Sequence, residues 1–172
     1  SALQTKFRLI KTGLNANSVT NKLDISSKKS VESFLGQHSP DIILNLAAMT
    51  DVDGCERDPE GANRINFEGV VNLCEGFKGH FIQLSTDYVF NGIKGPYLEE
   101  HPTDAICVYG QSKLDAEKFL INSKINYTII RANVLYSYSP DTKASFLKWV
   151  VESLKDSKGI NVVRDQWNNP TS

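Results

Sequence analysis

Three short, largely apolar runs constrain the fold of this chain more than any other feature. The first is Ile42–Ala48, the second begins at Phe81 and the third begins at Tyr127. Runs of this length are too short for most helices and are typical of parallel strands that are buried on both faces of a sheet. Helical patterns lie between them. The sequence therefore predicts an α/β fold built on a doubly wound parallel sheet.

The three runs end in small or polar residues. Ala47 and Ala48 end the first, Ser85 and Thr86 end the second, and Asn133 follows the third. In open parallel sheets, ligands bind outside the carboxyl ends of the strands. We therefore expect these residues to lie at one binding site, where the small alanine side chains let a cofactor approach the backbone closely.

A helical pattern after the second run places a phenol and an ammonium on one face. Tyr109 and Lys113 are four residues apart, which is about one helical turn. A free tyrosine titrates near roughly 10, and a nearby cation stabilises the phenolate and lowers its pKa toward the operating pH. With Thr86 or Ser85 holding a substrate oxygen, these groups predict a carbonyl reductase or alcohol dehydrogenase site.

The Tyr-x-x-x-Lys spacing alone is weak evidence, because a surface helix with a solvated lysine gives the same pattern. Its context is more specific. The string STDYVF at 85–90, followed by Tyr97, Glu99, Glu100, the string YGQSKL at 109–114 and Glu117, resembles the dTDP-4-dehydrorhamnose reductase family of the extended short-chain dehydrogenase/reductase superfamily.

The resemblance implies reduction of a nucleotide-activated 4-keto-6-deoxy sugar, with NADPH or NADH as cofactor. Tyr109 would donate the proton, Lys113 would lower its pKa and hold the cofactor ribose, and Thr86 would bind the carbonyl oxygen. The further roles that it implies are cofactor binding by Asp24, Ile25, Ala47, Ala48 and Ser85 besides Tyr109 and Lys113, substrate binding by Thr86, Asp87, Asn133 and Val134, and support of the lysine by Asn66.

Several of these positions have a simpler alternative. Asp24 would border the adenine ring or belong to the start of a helix that Ser26 or Ser27 caps. Ala47 would contact the cofactor or pack in the core. Asn66 lies in a predicted helix that begins at the Asp-Pro pair 58–59, runs to Phe77 and is closed by Gly79. There it supports the site or faces solvent. Val134 departs from the family, which usually has an aromatic residue there.

No glycine-rich turn for a dinucleotide pyrophosphate occurs in the chain. The resemblance therefore starts at the family's second strand, and 165–172 resembles the turn before its small substrate-binding part. We expect 1–172 to form one NAD(P)-binding Rossmann-like domain that lacks the first strand and the glycine-rich turn, is incomplete at both ends, and has its substrate-binding part mostly absent. Lys11, beside a strand end without an acidic residue, favours NADP weakly.

The composition argues against several other partners. A net charge of −1 gives no electrostatic reason to bind nucleic acid or an anionic membrane. No apolar run is as long as a membrane span, and the first residues do not form a signal peptide. Three cysteines without metal-like spacing predict reduced thiols in the cytoplasm and no metal site.

Two other functions fit the same residues. A nucleotide-sugar epimerase or dehydratase with retained NAD would keep the tyrosine, lysine and threonine, although such relatives more often have Ser-Ser-x-x-Val-Tyr at 85–90. A non-catalytic regulatory subunit similar to the methionine adenosyltransferase beta subunit would bind the cofactor without turnover. The sequence leaves open the identity of the sugar, the choice between NAD and NADP, and the pairing of two chains as a homodimer.

Overall fold

The computed structural model describes residues 6–14, 21–133 and 146–162. They fall into two compact units, 1–130 and 131–172, which are described separately. The strands are β1 Thr12–Gly13, β2 Asn21–Lys22, β3 Ile42–Asn45, β4 His80–Thr86 and β5 Asn126–Ala132. The helices are α1 Lys28–His38, α2 Val52–Arg57, α3 Pro59–Asn63, α4 Gly69–Cys74, α5 Val108–Asn122 and α6 Phe146–Lys155.

Two parallel pairings confirm the predicted α/β class. Strands β3, β4 and β5 form one sheet in that order, and β3 runs parallel to β4 with Asn45 opposite Gln83. Strands β1 and β2 form a separate parallel pair. The first strand of the chain covers only Thr12–Gly13, so the apolar residues 7–10 precede it and are not part of it.

The main core of unit 1 lies where helices α1, α4 and α5 meet β4. Phe81 and Leu120 are fully buried there, and Phe77 packs edge-on against Phe81 with ring centroids 6.5 Å apart. The remaining buried members of this core are Leu23, Ile25, Val31, Val70, Leu73, Cys74 and Ala116. Val70 is three and four residues before Leu73 and Cys74 on α4, and Ala116 is four before Leu120 on α5, as expected for helices that bury one face.

Strand β3 is buried on one face only, which corrects the expectation that both of its faces are buried. The exposed fractions of Ile42, Leu44 and Leu46 are 48, 49 and 62%. Side chains alternate across a strand, so the intervening Ile43 and Asn45 point to the other face, where Asn45 is buried. Among the described residues, the helices therefore cover one side of this strand.

The helix predicted from Asp58 is present but ends earlier than expected. Asp58 Oδ1 accepts a hydrogen bond from Gly61 N at 2.9 Å, and Pro59 occupies the first turn. The helical path continues through a π turn at Arg64–Glu68 to Cys74, and not to Phe77. Gly76, with φ of 73°, follows this end and takes the left-handed conformation that favours glycine.

Two other boundaries differ from the sequence pattern. Gly79, expected to close that helix, instead lies where an added Cβ would meet the Asp41 carbonyl oxygen, so its small size permits the approach of two backbones. The apolar residues of 160–163, which follow Gly159, favour a strand, but residues 160–162, the part that the structure describes, do not form one. No helix of the described ranges is long and apolar enough to cross a membrane.

Helix α5 begins in direct backbone contact with the turn that follows β4. That turn is a short 3-10 helix, Asp87–Val89. Cys107 caps α5 by accepting from Gly110 N at 3.3 Å, and Glu56 accepts from Val108 N at 2.7 Å. An added Cβ on Gly110 would meet the Tyr88 carbonyl oxygen. The glycine therefore allows α5 to approach the end of β4 closely.

We expect Gly110→Ala to lower the free energy of unfolding by about 1–3 kcal/mol, because the new methyl group forces α5 away from the 3-10 turn. Gly36→Ala is the matched control, since Gly36 lies within α1 with nothing near its Cβ position. That change should stabilise the chain by about 0.5–1 kcal/mol. Urea unfolding measures both, and equal effects of the two substitutions would contradict the close contact.

Candidate active site

Two hydroxyl groups meet at the carboxyl end of β4. Thr86, 5% exposed, caps the 3-10 turn: its Oγ1 accepts from Tyr88 N at 3.3 Å and contacts Asp87 Oδ1 at 3.2 Å. Thr86 also lies close enough to Tyr109, the second residue of α5, to favour the ionised form of its phenol. The structure thus brings together the threonine and the tyrosine that the sequence predicted for one site.

Burial raises the pKa of the Tyr109 phenol above its ordinary value. Thr86 acts in the opposite direction, whereas the negative charge of Asp87 adds to the increase. The Tyr88 ring packs edge-on against the Tyr109 ring, with centroids 5.6 Å apart. The phenol is therefore protonated at neutral pH.

Lys113 is buried, with 3% of its surface exposed, and its ammonium is directed to the backbone of β4. Its Nζ donates to the Leu84 carbonyl oxygen at 2.6 Å. Burial lowers the pKa of Lys113 to about 8, although the nearby Glu117 carboxylate raises it. Lys113 lies on α5 one helical turn after Tyr109, as predicted.

The net shift of the Tyr109 pKa has the opposite direction to the predicted one, and Lys113 is not among the groups that cause it. Lys113 was expected to lower the pKa of Tyr109, but that pKa is raised. The physical reason is that the ammonium is bonded to the Leu84 carbonyl and is itself desolvated, while burial and Asp87 both disfavour the phenolate.

A buried chain of amides connects the lysine to the end of β3. Gln83 Nε2 donates to the same Leu84 carbonyl oxygen at 2.9 Å, and Gln83 Oε1 accepts from Asn45 Nδ2 at 2.9 Å. Asn45 Oδ1 in turn accepts from Ala47 N at 3.1 Å. Gln83 and Asn45 were not predicted as site residues, although each is a polar residue within an apolar run, and that was the available signal.

Asn66 joins the loop after β3 to the helix that carries Tyr109 and Lys113. Its Oδ1 accepts from Met49 N at 2.8 Å, and its Nδ2 donates to Met49 O at 3.1 Å and to Ser112 Oγ at 2.9 Å. Ser112 donates to the Tyr109 carbonyl oxygen at 2.8 Å. Asn66 is 1% exposed, so the alternative of a solvent-facing side chain is wrong.

The hydroxyl of Ser85, predicted to contact a cofactor, has a partner within the protein. Ser85 Oγ donates to Glu117 Oε1 at 2.5 Å, and both residues are buried. Glu117 lies on α5, one turn beyond Lys113. The structure therefore places Ser85 at the site but directs its hydroxyl into the core.

The pair Asp24–Ile25 shapes the entry to α1. Asp24 Oδ1 accepts from Ser26 N at 3.0 Å and from Ser26 Oγ at 2.7 Å, and Ser27 caps the helix by accepting from Ser30 N. The Ile25 side chain is 8% exposed and belongs to the core. Both residues thus have a structural role, and their contact with a cofactor stays a prediction.

The remaining predicted residues occupy varied environments. Ala47 is exposed and Ala48 is half-buried, so the alternative of core packing for Ala47 is wrong. Asp87 is half-buried beside Thr86. Asn133 belongs to the second unit, where its Oδ1 is buried without a hydrogen-bond partner among the described residues. Val134 lies outside the described residues.

Comparison with known proteins gives consistent matches. The family model described as the RmlD substrate binding domain matches residues 2–172. A dTDP-4-dehydrorhamnose reductase of Sinorhizobium fredii is 40% identical over 153 residues, covering 87% of this chain and 51% of that protein. The chain thus spans about half the length of the curated relatives it matches.

Solved structures show the same similarity. A hypothetical dTDP-4-dehydrorhamnose reductase from Sulfolobus tokodaii is 35% identical with a TM-score of 0.79, covering 92% of this chain and 57% of that one. The dTDP-4-dehydrorhamnose reductase of Bacillus anthracis in complex with NADP is 28% identical with a TM-score of 0.73, covering 90% and 55%. These likenesses confirm the predicted Rossmann-like class.

We expect the two buried amides to be energetically coupled. Gln83→Met and Asn45→Leu should each destabilise the chain by about 1–3 kcal/mol, because each leaves a buried polar group unpaired. The double variant should lose about 1 kcal/mol less than the sum, since it removes both partners. Chemical unfolding of the four proteins measures the coupling.

The control for this cycle combines Gln83→Met with Asn122→Leu. The Asn122 amide donates to Lys118 O near the exposed end of α5, outside the amide chain. The losses in the free energy of unfolding caused by these two substitutions should add to within about 0.5 kcal/mol. Additivity in the Gln83–Asn45 pair as well would contradict the coupling.

Proposed function

The chain belongs to the dTDP-4-dehydrorhamnose reductase family, and we propose that the protein reduces the 4-keto group of a nucleotide-activated 6-deoxy sugar with NADPH or NADH. The observation that carries this proposal is that Thr86, at the carboxyl end of β4, lies close enough to Tyr109 on α5 to act on the pKa of its phenol. The chain spans about half the length of this relative, so the activity and substrate of the whole protein are part of the proposal.

The residues present fit the nicotinamide and ribose part of such a cofactor. Ala47 and Ala48 offer small side chains at the end of β3, and the Lys113 ammonium keeps two further N–H donors besides the one bonded to Leu84. No glycine-rich turn for the pyrophosphate occurs in residues 1–172. The relative solved with NADP supports NADP as the cofactor class.

NADPH or NADH, when bound, supplies the hydride for this reaction. The oxygen of the reduced carbonyl would carry negative charge and would need a proton. The Tyr109 phenol donates a proton to that oxygen, and Thr86 Oγ1 holds it by a hydrogen bond. A raised phenol pKa suits this direction, because the group has to be protonated before it can act as an acid.

In this proposal Lys113 provides a positive charge at the site and binds the cofactor. Because its pKa is about 8, most Lys113 side chains are protonated, and therefore charged, at neutral pH. The ammonium, which bonds to Leu84 O near the end of β4, is proposed to hold the ribose of the cofactor. Asn66 supports this part of the site through Ser112, the residue that precedes the lysine.

The residues proposed to contact the substrate are chosen because they follow the ends of strands in the sequence. Asp87 lies directly after Thr86, half-buried, and is proposed to contact the sugar nucleotide, as are Asn133 and Val134. The three cysteines are free thiols, which supports a reducing compartment, and we place the reaction in the cytoplasm. A homodimer stays a prediction.

In the full-length protein, Tyr109→Phe should lower the rate of keto-sugar reduction about 100-fold or more, because the proton donor is lost while the ring is kept. Binding of NADPH, followed by fluorescence titration, should change by less than about threefold. Tyr127→Phe is the matched control, since Tyr127 lies on β5 and is 38% exposed.

Three outcomes would overturn the proposal. Full activity in Tyr109→Phe would exclude the phenol as the proton source. Cofactor binding without NAD(P)H oxidation on any 4-keto sugar nucleotide, together with a stoichiometric protein partner, would favour the regulatory subunit. Release of an epimerised or dehydrated sugar without net cofactor oxidation would favour the epimerase or dehydratase.

A further inference from the structure

Glu117 is a buried ionisable group that the reaction above does not use. It lies within α5, and none of its surface is exposed. A carboxylate without partners is costly to bury, because it loses its hydration without compensation. Its retention in the middle of a packed helix face therefore calls for neighbours that stabilise it.

Two neighbours of Glu117 belong to the candidate active site. Ser85, at the end of β4, donates its hydroxyl hydrogen to Glu117 Oε1 at 2.5 Å. Lys113 precedes Glu117 by four residues, which places both on one face of α5. The Lys113 ammonium bonds to Leu84 O, and Leu84 directly precedes Ser85. Two consecutive residues of β4 thus receive the ammonium and contact the carboxylate.

Other ionisable groups near α5 act elsewhere. Glu56 on α2 accepts from the backbone at the helix start, and Asp87 on the 3-10 turn and Cys55 on α2 act on Tyr109. Cys74 on α4 lies in the apolar core, and His80 at the far end of β4 bonds to Thr128. Among the described residues, the charge that acts on Lys113 is that of Glu117.

We propose that Glu117 is a positioning residue that keeps Lys113 charged within its desolvated surroundings and, through Ser85, holds the end of β4 against α5. Only the expected effect of Glu117 on catalysis rests on the proposed function. The ionisation of Lys113 tests it directly, in this chain and without substrate. The carboxylate compensates for the water that burial removes from the ammonium.

The first experiment follows the titration of Lys113 by NMR of its ¹³Cε signal, assigned by its absence in Lys113→Met. Glu117→Gln keeps the shape of the side chain and an acceptor for Ser85 but removes the charge. The midpoint should fall by about one pH unit or more below that of the unsubstituted chain. Asp115→Asn is the matched control, because it removes one negative charge from the same helix at a carboxylate that bonds to Gln111.

An unchanged midpoint in Glu117→Gln, or an equal fall in Asp115→Asn, would overturn the proposal. A second measurement applies even if Glu117→Gln does not fold. Lys113→Met and Glu117→Leu should each destabilise the chain by leaving a buried charge unpaired, and the double variant should be more stable than their sum predicts. Additive losses in this cycle would contradict the pairing of the two groups.

The effect on catalysis appears in the full-length protein. If the charged lysine is needed, activity falls as pH rises through its pKa, so this alkaline limit should move to lower pH in Glu117→Gln and stay in place in Asp115→Asn. An NMR shift without any reductase activity would uphold the role of Glu117 and refute the proposed function. An unshifted NMR midpoint in an active enzyme would do the reverse.

Discussion

The carbonyl oxygen of Leu84 is the atom on which the arrangement of this site depends. It accepts from the Lys113 ammonium at 2.6 Å and from the Gln83 amide at 2.9 Å. A carbonyl oxygen has two lone pairs, and here the two donors come from the helix and from the strand itself. Through Gln83 and Asn45 the same connection extends to the backbone of Ala47. Hydrogen bonds that meet at this one acceptor therefore connect the lysine to the carboxyl ends of β3 and β4.

Desolvation controls the chemistry of the groups around that atom. Burial raises the pKa of Tyr109 and lowers that of Lys113, so in each case the neutral form is favoured. The charged form of the lysine is retained near neutral pH because the Glu117 carboxylate offsets part of this effect. The close packing of α5 on β4, which Gly110 permits, is thus also the source of the electrostatic properties of the site.

The sequence predicted the fold class and the pair Tyr109–Thr86 because both depend on local patterns: short apolar runs, residues at strand ends and a four-residue helical spacing. It did not predict the amide chain, because the partnership of Gln83 with Asn45 depends on the register between two strands separated by 38 positions. The direction of the Tyr109 pKa was wrong for a related reason. Spacing places a cation near a phenol, but the burial of both groups is a property of the packed structure.

The π turn at Arg64–Glu68 has a consequence for comparing this chain with its relatives. Such a turn holds one residue more than a regular helical turn, which rotates everything after it by about 100° relative to everything before it. Asn66 lies within this wider turn and reaches both Met49 and Ser112. In a homologue with a one-residue gap at this point, the helix after the gap would be rotated, so an asparagine aligned with Asn66 would not reach the residue that corresponds to Ser112.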